Sequence, residues 1–512
     1  MVAPASVPET HSGTEAGATS SRIEIMSKYE IVIGMEAHAE LLTETKQFCG
    51  CANEPLSAPN TNVCPVCLGF PGSLPVLNKK GVDLSLRTVL AFNSDINRRN
   101  FFERKNYFYP DLPKAFQTTQ MAQPLGEGGV IEIEVPQPDG TVEVKSVSLH
   151  DVHMEEDTGK SSHGEAIGDP YSSLIDFNRS GVPLLEIVSN PDMRSVEEAE
   201  AYMTTLRQIL LYLEVSDCKM EQGRLRFEAS VSLRKSTEDP YGTRVEIKNL
   251  NSIKSVRDAL RAEIARQTKE LDAGNIIEQA TMLWDEASGT TQKMRSKEHA
   301  HDYRYFPEPD LAPLEIDDAW LERVKASMPE LPRARKLRFI ELGLTPYEAS
   351  VLTSTREIAD YFEVALEGYY KPKVISNWLA NELLGRLNAE NVNIAQSPVA
   401  PVQLRDLVRL IDAGTISGKI AKEVFDEMFV SGKDAGVIVE EKGLTQVSDT
   451  GELEAVCRKV LEANPKAVED FLGGKEKSFG SLVGGVMKET KGRANPGLVN
   501  ELLRAELEKL RS

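Results

Sequence analysis

The sequence predicts an α+β fold, with a mixed, mostly antiparallel domain followed by two all-helical units. Three observations lead there. β-rich runs and a hairpin signal alternate with capped helices as far as about residue 315. Helical patterns dominate from Asp317, after the composition changes at Pro313. The segment 396–402 (QSPVAPV) reads as a linker dividing the helical part, so breaks fall near 316 and 402.

In chain order, 29–35 (YEIVIGM) is a short β-rich run. Segments 131–135 and 142–149 alternate apolar and polar positions about Pro138-Asp139-Gly140, a hairpin pattern. Ser195 caps the next helix, with Glu198 three residues on completing a capping box. Tyr202, Leu206, Ile209, Leu210 and Leu213 recur behind it at helical spacing. Strands are expected at 225–233 and 242–248, then a helix over about 252–271. Further on, Thr345-Pro346-Tyr347-Glu348 combines a cap, a first-turn proline and a box glutamate. Asn495-Pro496 precedes an amphipathic helix from 498 to about 511.

A chain of 512 residues accommodates about three domains at the usual ~100–200 residues each. With 41% hydrophobic and 27% charged residues, wholesale disorder is excluded. No run approaches the ~18–20 apolar residues of a membrane span, so no membrane association is expected. The net charge of −20, from 59 basic against 79 acidic residues, argues against non-specific coating of nucleic acid. It leaves room for a local basic patch, because physiological salt limits the reach of each charge to about 8 Å. Residues 1–27 read as a disordered extension, lacking both the apolar core of a signal peptide and the arginine excess of a transit peptide. Met26 opens MSKYEIVIG, which looks like an ordinary start.

Four of the six cysteines fall close together: Cys49, Cys51, Cys64 and Cys67. C-x-C and C-x-x-C pairs can converge four thiolates tetrahedrally on Zn²⁺, with every position filled by protein, which makes such a zinc structural. The alternative is four unligated thiols. Cys218 and Cys457 stand alone.

Glu36 and His38 follow a strand and share one face, two residues apart, where they can hold a divalent cation or share acid–base work. A surface glutamate and a packed histidine would look the same. The run from His150 to Asp157 is dense in carboxylates and imidazoles, and is either a solvated acidic turn or a source of Mg²⁺ ligands. Gly159-Lys160-Ser161 mimics the end of a phosphate-binding loop, but Met154 stands where its first glycine belongs, so a P-loop is rejected. Two basic–aromatic clusters, 104–110 and 301–307, are either core or places where cations and rings meet phosphate and base. Lys475, Lys477, Lys488, Lys491 and Arg493 against Glu476 and Glu489 leave +3 over 471–495. That segment, rich in glycine, is either a solvated basic loop or a contact for RNA backbone.

GMEAHAEL, CPVCLGFPGSLPVLN, RKNYFYPDLPKAFQ, HMEEDTGK, RSGVPLLEIVS, GTRVEIKNLNS and MRSKEHAHDYRYFPEPDLAPL occur in this order. Together with SLVGGVMKETKGRANP at 481–496, they resemble the B subunit family of the tRNA-dependent amidotransferases, over about 28–512. The resemblance implies a cradle-shaped catalytic domain over 28–315, a helical domain over 316–401 and a helical tRNA-binding tail over 402–512. It further implies that the side-chain carboxylate of Glu-tRNA(Gln) or Asp-tRNA(Asn) is phosphorylated with ATP. Ammonia channelled from a glutamine-hydrolysing amidase A subunit then amidates it. A small C subunit would complete a cytoplasmic heterotrimer. Activating a poor acyl donor in this way needs positioning and charge neutralisation rather than a protein nucleophile.

By position, Glu36, His38 and Glu156 resemble the family's catalytic and Mg²⁺ residues, joined by Glu228 and Glu246. Lys105, Lys114 and Glu156 resemble its ammonia-channel lining, and Lys475, Lys477, Lys488, Lys491 and Arg493 fall in its tRNA-binding tail. One departure concerns Phe227-Glu228-Ala229-Ser230, where many members read C-D-A-N: the carboxylate is kept one methylene longer and the amide is lost. That change makes a non-catalytic tRNA-docking scaffold the alternative reading. Retention of Glu36, Glu156, Glu228 and Glu246 favours the enzyme.

Overall fold

Strand Glu30–Glu40 is the axis of the structure, a computed structural model that describes residues 28–169, 171–294, 303–445, 450–490 and 493–511. The extension expected at 1–27, together with His301, Asp302 and Lys491, lies outside the described residues. Glu30–Glu40 pairs antiparallel with Leu225–Arg234 on one side and Pro183–Ser189 on the other. Beyond Leu225–Arg234 come Val245–Lys248, Ala280–Asp285 and Thr290–Lys293. On the other side Val142–Glu156 follows Pro183–Ser189, and the sheet continues to Gly126–Glu127 and Asp95–Ile96. Val130–Pro136 forms the expected hairpin with Val142–Glu156, turning at Gly140, whose φ is +86°.

Every pairing in this ten-stranded sheet is antiparallel except Val245–Lys248 with Ala280–Asp285. Parallel neighbours need a long crossover, and helix Ile253–Asp272 supplies it.

Side chains alternate across a strand, so the register divides the sheet into two unlike faces. Met35, Ala37, Ala39, Val152, Met154, Leu185, Ile187, Phe227 and Ala229 are buried on one face, in a core shared with helices Lys79–Ala91, Val196–Tyr212 and Ile253–Asp272. The opposite face carries Glu36, His38 and Glu40 from the axial strand. On helix Val196–Tyr212 the residues expected to face the core, Tyr202, Leu206, Ile209, Leu210 and the capping Leu213, are buried. Its capping box is half formed: Ser195 Oγ accepts from Glu198 N at 3.1 Å, whereas the Glu198 carboxylate accepts from Arg194 N and pairs with Lys145 at 2.6 Å.

The helical half departs from the expected boundaries. Ile316, Leu321 and Val324 still pack into the sheet's core, so the first unit runs past 316. A second core gathers Phe339 to Val439, including helices Arg356–Leu366, Pro401–Asp412 and Gly418–Ser431. The break expected at 402 therefore falls inside one core. Val399, in the supposed linker, is fully buried, and Tyr361 Oη donates to its carbonyl at 2.9 Å. Proline there begins a helix, with Pro401 in the first turn, rather than marking exposed chain. A third core runs from Leu453 to Leu507. No helix of the described residues is long and apolar enough to cross a membrane.

Candidate active site and metal centres

The polar face of the sheet concentrates charged groups that the apolar face excludes. Glu36 lies across from Glu228, and His38 lies between Glu186 and Arg226. Glu186 in turn faces His153. Two donor groups result, each with its ligand atoms within 4.8 Å of one another: Glu36 with Glu228 and Glu246, and His38 with Glu155 and Glu186.

In the first group, burial raises the Glu36 carboxyl above its ordinary value, and the charges of Glu186 and Glu228 add to the shift. Lys248 bridges Glu228 at 2.7 Å and Glu246 at 3.1 Å. Burial works against that lysine's charge, but Glu228 and Glu246 outweigh it and raise its pKa. One ammonium thus serves two of three converging carboxylates, and Glu36 is left without it. This crowding fits a divalent cation with oxygen ligands, so the donor set suits Mg²⁺.

In the second group, His38 Nε2 lies 3.3 Å from Glu186 Oε2 and 3.9 Å from Glu155 Oε1. His153 reaches Glu186 at 3.2 Å and Asp151 at 2.6 Å. Burial disfavours charge on both imidazoles, yet Glu186 raises His38 and holds His153 well above its usual range. Glu186 is pulled well below its own range by His38 and His153 against the cost of burial. Burial, then Glu186, raises Glu155. His38 Nδ1 and Glu155 Oε2 are buried without a hydrogen-bond partner, two polar atoms that the protein leaves unsatisfied.

Glu156 does not join either group. It succeeds Glu155 on the same strand and so points to the other face, where it pairs with Lys114 and accepts from Thr118 N at 3.0 Å. Grouping it with Glu36 and His38 is corrected by that parity, and Glu155 takes the place beside His38. The two lysines divide in the same way. Lys105 is raised by Glu155 and Glu186 against burial and lies 5.1 Å from the centre of the Tyr303 ring. Lys114 sits with Glu156 in a cleft of about 220 Å³. The end of strand Val142–Glu156 thus carries consecutive carboxylates facing opposite ways, each near its own lysine.

The four cysteines converge. The sulfurs of Cys49, Cys51, Cys64 and Cys67 all lie within 4.8 Å of one another, and all are free thiols. The hydrogen bond that Cys49 and Cys67 share lowers the Cys67 thiol and raises that of Cys49. Four sulfurs already gathered fit a tetrahedral zinc site with no open position.

The two basic–aromatic clusters are neighbours. Phe306–Pro307 pairs antiparallel with Glu103–Asn106, and Tyr107, Tyr303 and Tyr305 form a chain of edge-on ring contacts 5.8–6.0 Å apart. In the tail, 477–489 is a helix rather than a loop. A Cβ on Gly485 would meet Val460 at 2.8 Å, so that glycine lets two helices of the third core approach closely. Lys475, Lys477 and Lys488 are exposed, with Lys475 paired to Asp470, while Arg493 donates to the Gly443 carbonyl at 3.3 Å.

The sequence marks no site role for Glu186 or Lys248, and offers His153 and Glu155 only within the run from His150 to Asp157 as a source of Mg²⁺ ligands. Glu186 carried a usable signal, being a lone carboxylate within the apolar strand Pro183–Ser189. Ser230, at the departure from the family pattern, donates to the Gly34 carbonyl at 3.2 Å, and Glu228 keeps its carboxylate opposite Glu36.

Residues 31–322 match the family model described as the GatB/GatE catalytic domain, and 360–507 match the one described as the GatB domain. The chain is 56% identical over 487 residues to the B subunit of the aspartyl/glutamyl-tRNA(Asn/Gln) amidotransferase of Carboxydothermus hydrogenoformans, covering 95% of this chain and 100% of that one. It is 54% identical over 481 residues to the protein of the same name from Moorella thermoacetica, covering 94% and 100%. With two domain models matched in order and identity above one half along nearly the whole length, the chain belongs to the family of aspartyl/glutamyl-tRNA(Asn/Gln) amidotransferase B subunits.

Proposed function

We propose that this chain phosphorylates the side-chain carboxylate of tRNA-bound glutamate or aspartate with ATP and directs ammonia onto the product. The observation that carries this reading is the pair of donor groups on one polar face, Glu36–Glu228–Glu246 beside His38–Glu155–Glu186. A carboxylate oxygen takes the γ-phosphoryl group, giving an acyl phosphate and ADP. Ammonia then attacks the acyl carbon, inorganic phosphate leaves, and a proton is lost from nitrogen to give the amide. No protein nucleophile is needed.

Mg²⁺ held by Glu36, Glu228 and Glu246, together with His38, Glu155 and Glu186, would supply the neutralisation of phosphate charge that phosphoryl transfer requires. The chain's own groups do the rest. Lys248 holds Glu228 and Glu246 in place from one side. Lys105, beside Glu155 and the Tyr303 ring, presents a cation where an incoming anion would enter. Lys114 and Glu156, which share a cleft, would pass ammonia toward Lys105 and Glu155, the residue before Glu156 on the same strand. The ammonia itself would come from an amidase A subunit, in a cytoplasmic heterotrimer completed by a small C subunit. Lys475, Lys477, Lys488, Lys491 and Arg493 would meet the tRNA backbone. Zinc on Cys49, Cys51, Cys64 and Cys67 would be structural.

The test uses the assembled heterotrimer with glutamine, ATP and each misacylated tRNA in turn. Phosphate release and amidated tRNA are expected together, and the two tRNAs identify the substrate. Glu228→Gln should lower both by about 10²-fold or more, the usual effect of removing a charge-stabilising group. Full activity in that variant would remove Glu228 from the site, and no phosphate release or amidated tRNA from the unaltered heterotrimer would favour the docking-scaffold reading.

A further inference from the structure

The zinc insert and the Lys114–Glu156 pair are not separate structures. Lys114 is enclosed on several sides, and the insert contributes two of them. Its ammonium lies 5.5 Å from the Phe48 ring, next to Cys49, and 4.9 Å from the Phe116 ring. Gly69, two residues after Cys67, lies against its stem: a Cβ there would fall 2.8 Å from Lys114 Cγ and 2.9 Å from its Cα. Gly69 also has φ of +68°, a conformation glycine adopts freely.

Gly181 joins the same parts from behind, at φ +86°. A Cβ on it would lie 3.4 Å from Cys67 Cβ, 3.6 Å from Lys46 Cδ and 3.8 Å from Glu156 Oε2. Gly181 therefore lies beside both a cysteine of the tetrad and the carboxylate that pairs with Lys114. The Gly181 carbonyl accepts from Gln47 N at 2.8 Å, and its N–H donates to the Asp157 carbonyl at 2.9 Å, tying the insert to the residue after Glu156. Lys46 completes the joint. It is fully buried, with its ammonium 3.7 Å from Cys67 Sγ and 3.3 Å from the Phe177 carbonyl. An ammonium placed there offsets the negative charge of a thiolate cluster and holds it against the 177–181 loop.

We propose that the Cys49–Cys51–Cys64–Cys67 insert is a wall of the ammonia route, and that zinc on it positions Lys114 and Glu156 so that ammonia made from glutamine is delivered without loss. The inference rests on the function proposed above and adds a role for the metal that the chemistry of amidation does not itself demand. Gly69, Gly181 and Lys46 are its positioning residues, since none of them faces the carboxylate groups of the polar sheet surface.

The experiment compares two nitrogen sources in the assembled heterotrimer. Cys51→Ser is expected to drop zinc below one per chain and to speed hydrogen exchange in peptides spanning 64–75 and 176–182. Glutamine-fed amidation should fall tenfold or more, with glutamate released in excess over amidated tRNA, while ammonium chloride-fed amidation falls far less. Gly69→Ala keeps all four thiols and should keep one zinc per chain, yet show the same split between glutamine and ammonium chloride. Equal loss with both nitrogen sources in Gly69→Ala, or glutamine-fed coupling unchanged in both variants, overturns the proposal. If the unaltered complex amidates with neither source, the proposed function itself falls and takes this inference with it. That outcome is read on a different sample and is not confused with the others.

Discussion

Glu40 closes the axial strand with a carboxyl that is 5% exposed and has one oxygen, Oε1, without a partner. Burial, then the nearby charge of Asp157, pushes it up to about 7 against the pull of Arg226, Arg179 and Arg224. In the unfolded chain the same group ionises near its ordinary 4.5. Between these values the folded protein keeps a proton that the unfolded chain has shed. Stability must therefore fall as pH rises from 4.5 to 7 and level off above. At about 1.4 kcal/mol per tenfold, that interval amounts to roughly 3 kcal/mol. Glu40→Gln keeps the shape and removes the titration. Relative to the unaltered protein, the variant should gain about 3 kcal/mol between pH 4.5 and 8, equivalent to about 6–10 °C in the midpoint of the sheet domain. Asp157 does not interfere. Against burial, Arg226 and Arg179 hold it at about 2, so its stabilisation is lost only as pH falls from 3.8 toward 2. Melting must be followed on the sheet domain alone, by hydrogen exchange of its strands, because three cores need not unfold together. A difference between variant and parent that stays constant from pH 5 to 8 would refute the reasoning.

Other outcomes follow from the same geometry. Glu156→Gln, which removes the charge facing Lys114, should lower glutamine-fed amidation by at least tenfold in the heterotrimer, and unchanged activity there would remove Glu156 from the ammonia route. Freshly purified protein should carry one zinc per chain by elemental analysis, and none in such a preparation would show that the four thiols are unligated. Lys488→Ala should weaken tRNA binding and flatten the dependence of log affinity on log salt by about 0.7–0.9, the release of one counterion; an unaltered slope would place the tRNA elsewhere. Leu206→Ala, at a fully buried position, should cost about 2–5 kcal/mol in urea unfolding of the sheet domain.

Much of the candidate site was legible wherever its chemistry is local. The tetrad showed itself because Cys49, Cys51 and Cys64, Cys67 form two close pairs, and short spacing leaves little freedom about where the sulfurs go. Glu36 and His38 were assigned to one face because strand alternation has a fixed period, and they do share it. Ser195 and Thr345 cap the helices that follow them, since a cap acts across three residues. The same locality explains the errors. QSPVAPV has the composition of a linker, but Val399 is drawn into a core by helices on both sides. The glycines of 477–489 suggested a loop, but one of them sits against Val460 in a packed helix.

By itself, then, the amino-acid sequence determined the α+β class, the caps, the period of each strand and the thiol tetrad. Each of these depends on neighbours a few residues away. Only the tertiary structure decided that Glu155 rather than Glu156 stands beside His38, that Glu186 joins them, and that Glu156 backs onto the four-cysteine insert through Gly181. Alternation says which residues of a strand share a face, but the register with another strand decides which face meets which, and a shift of one residue exchanges them all.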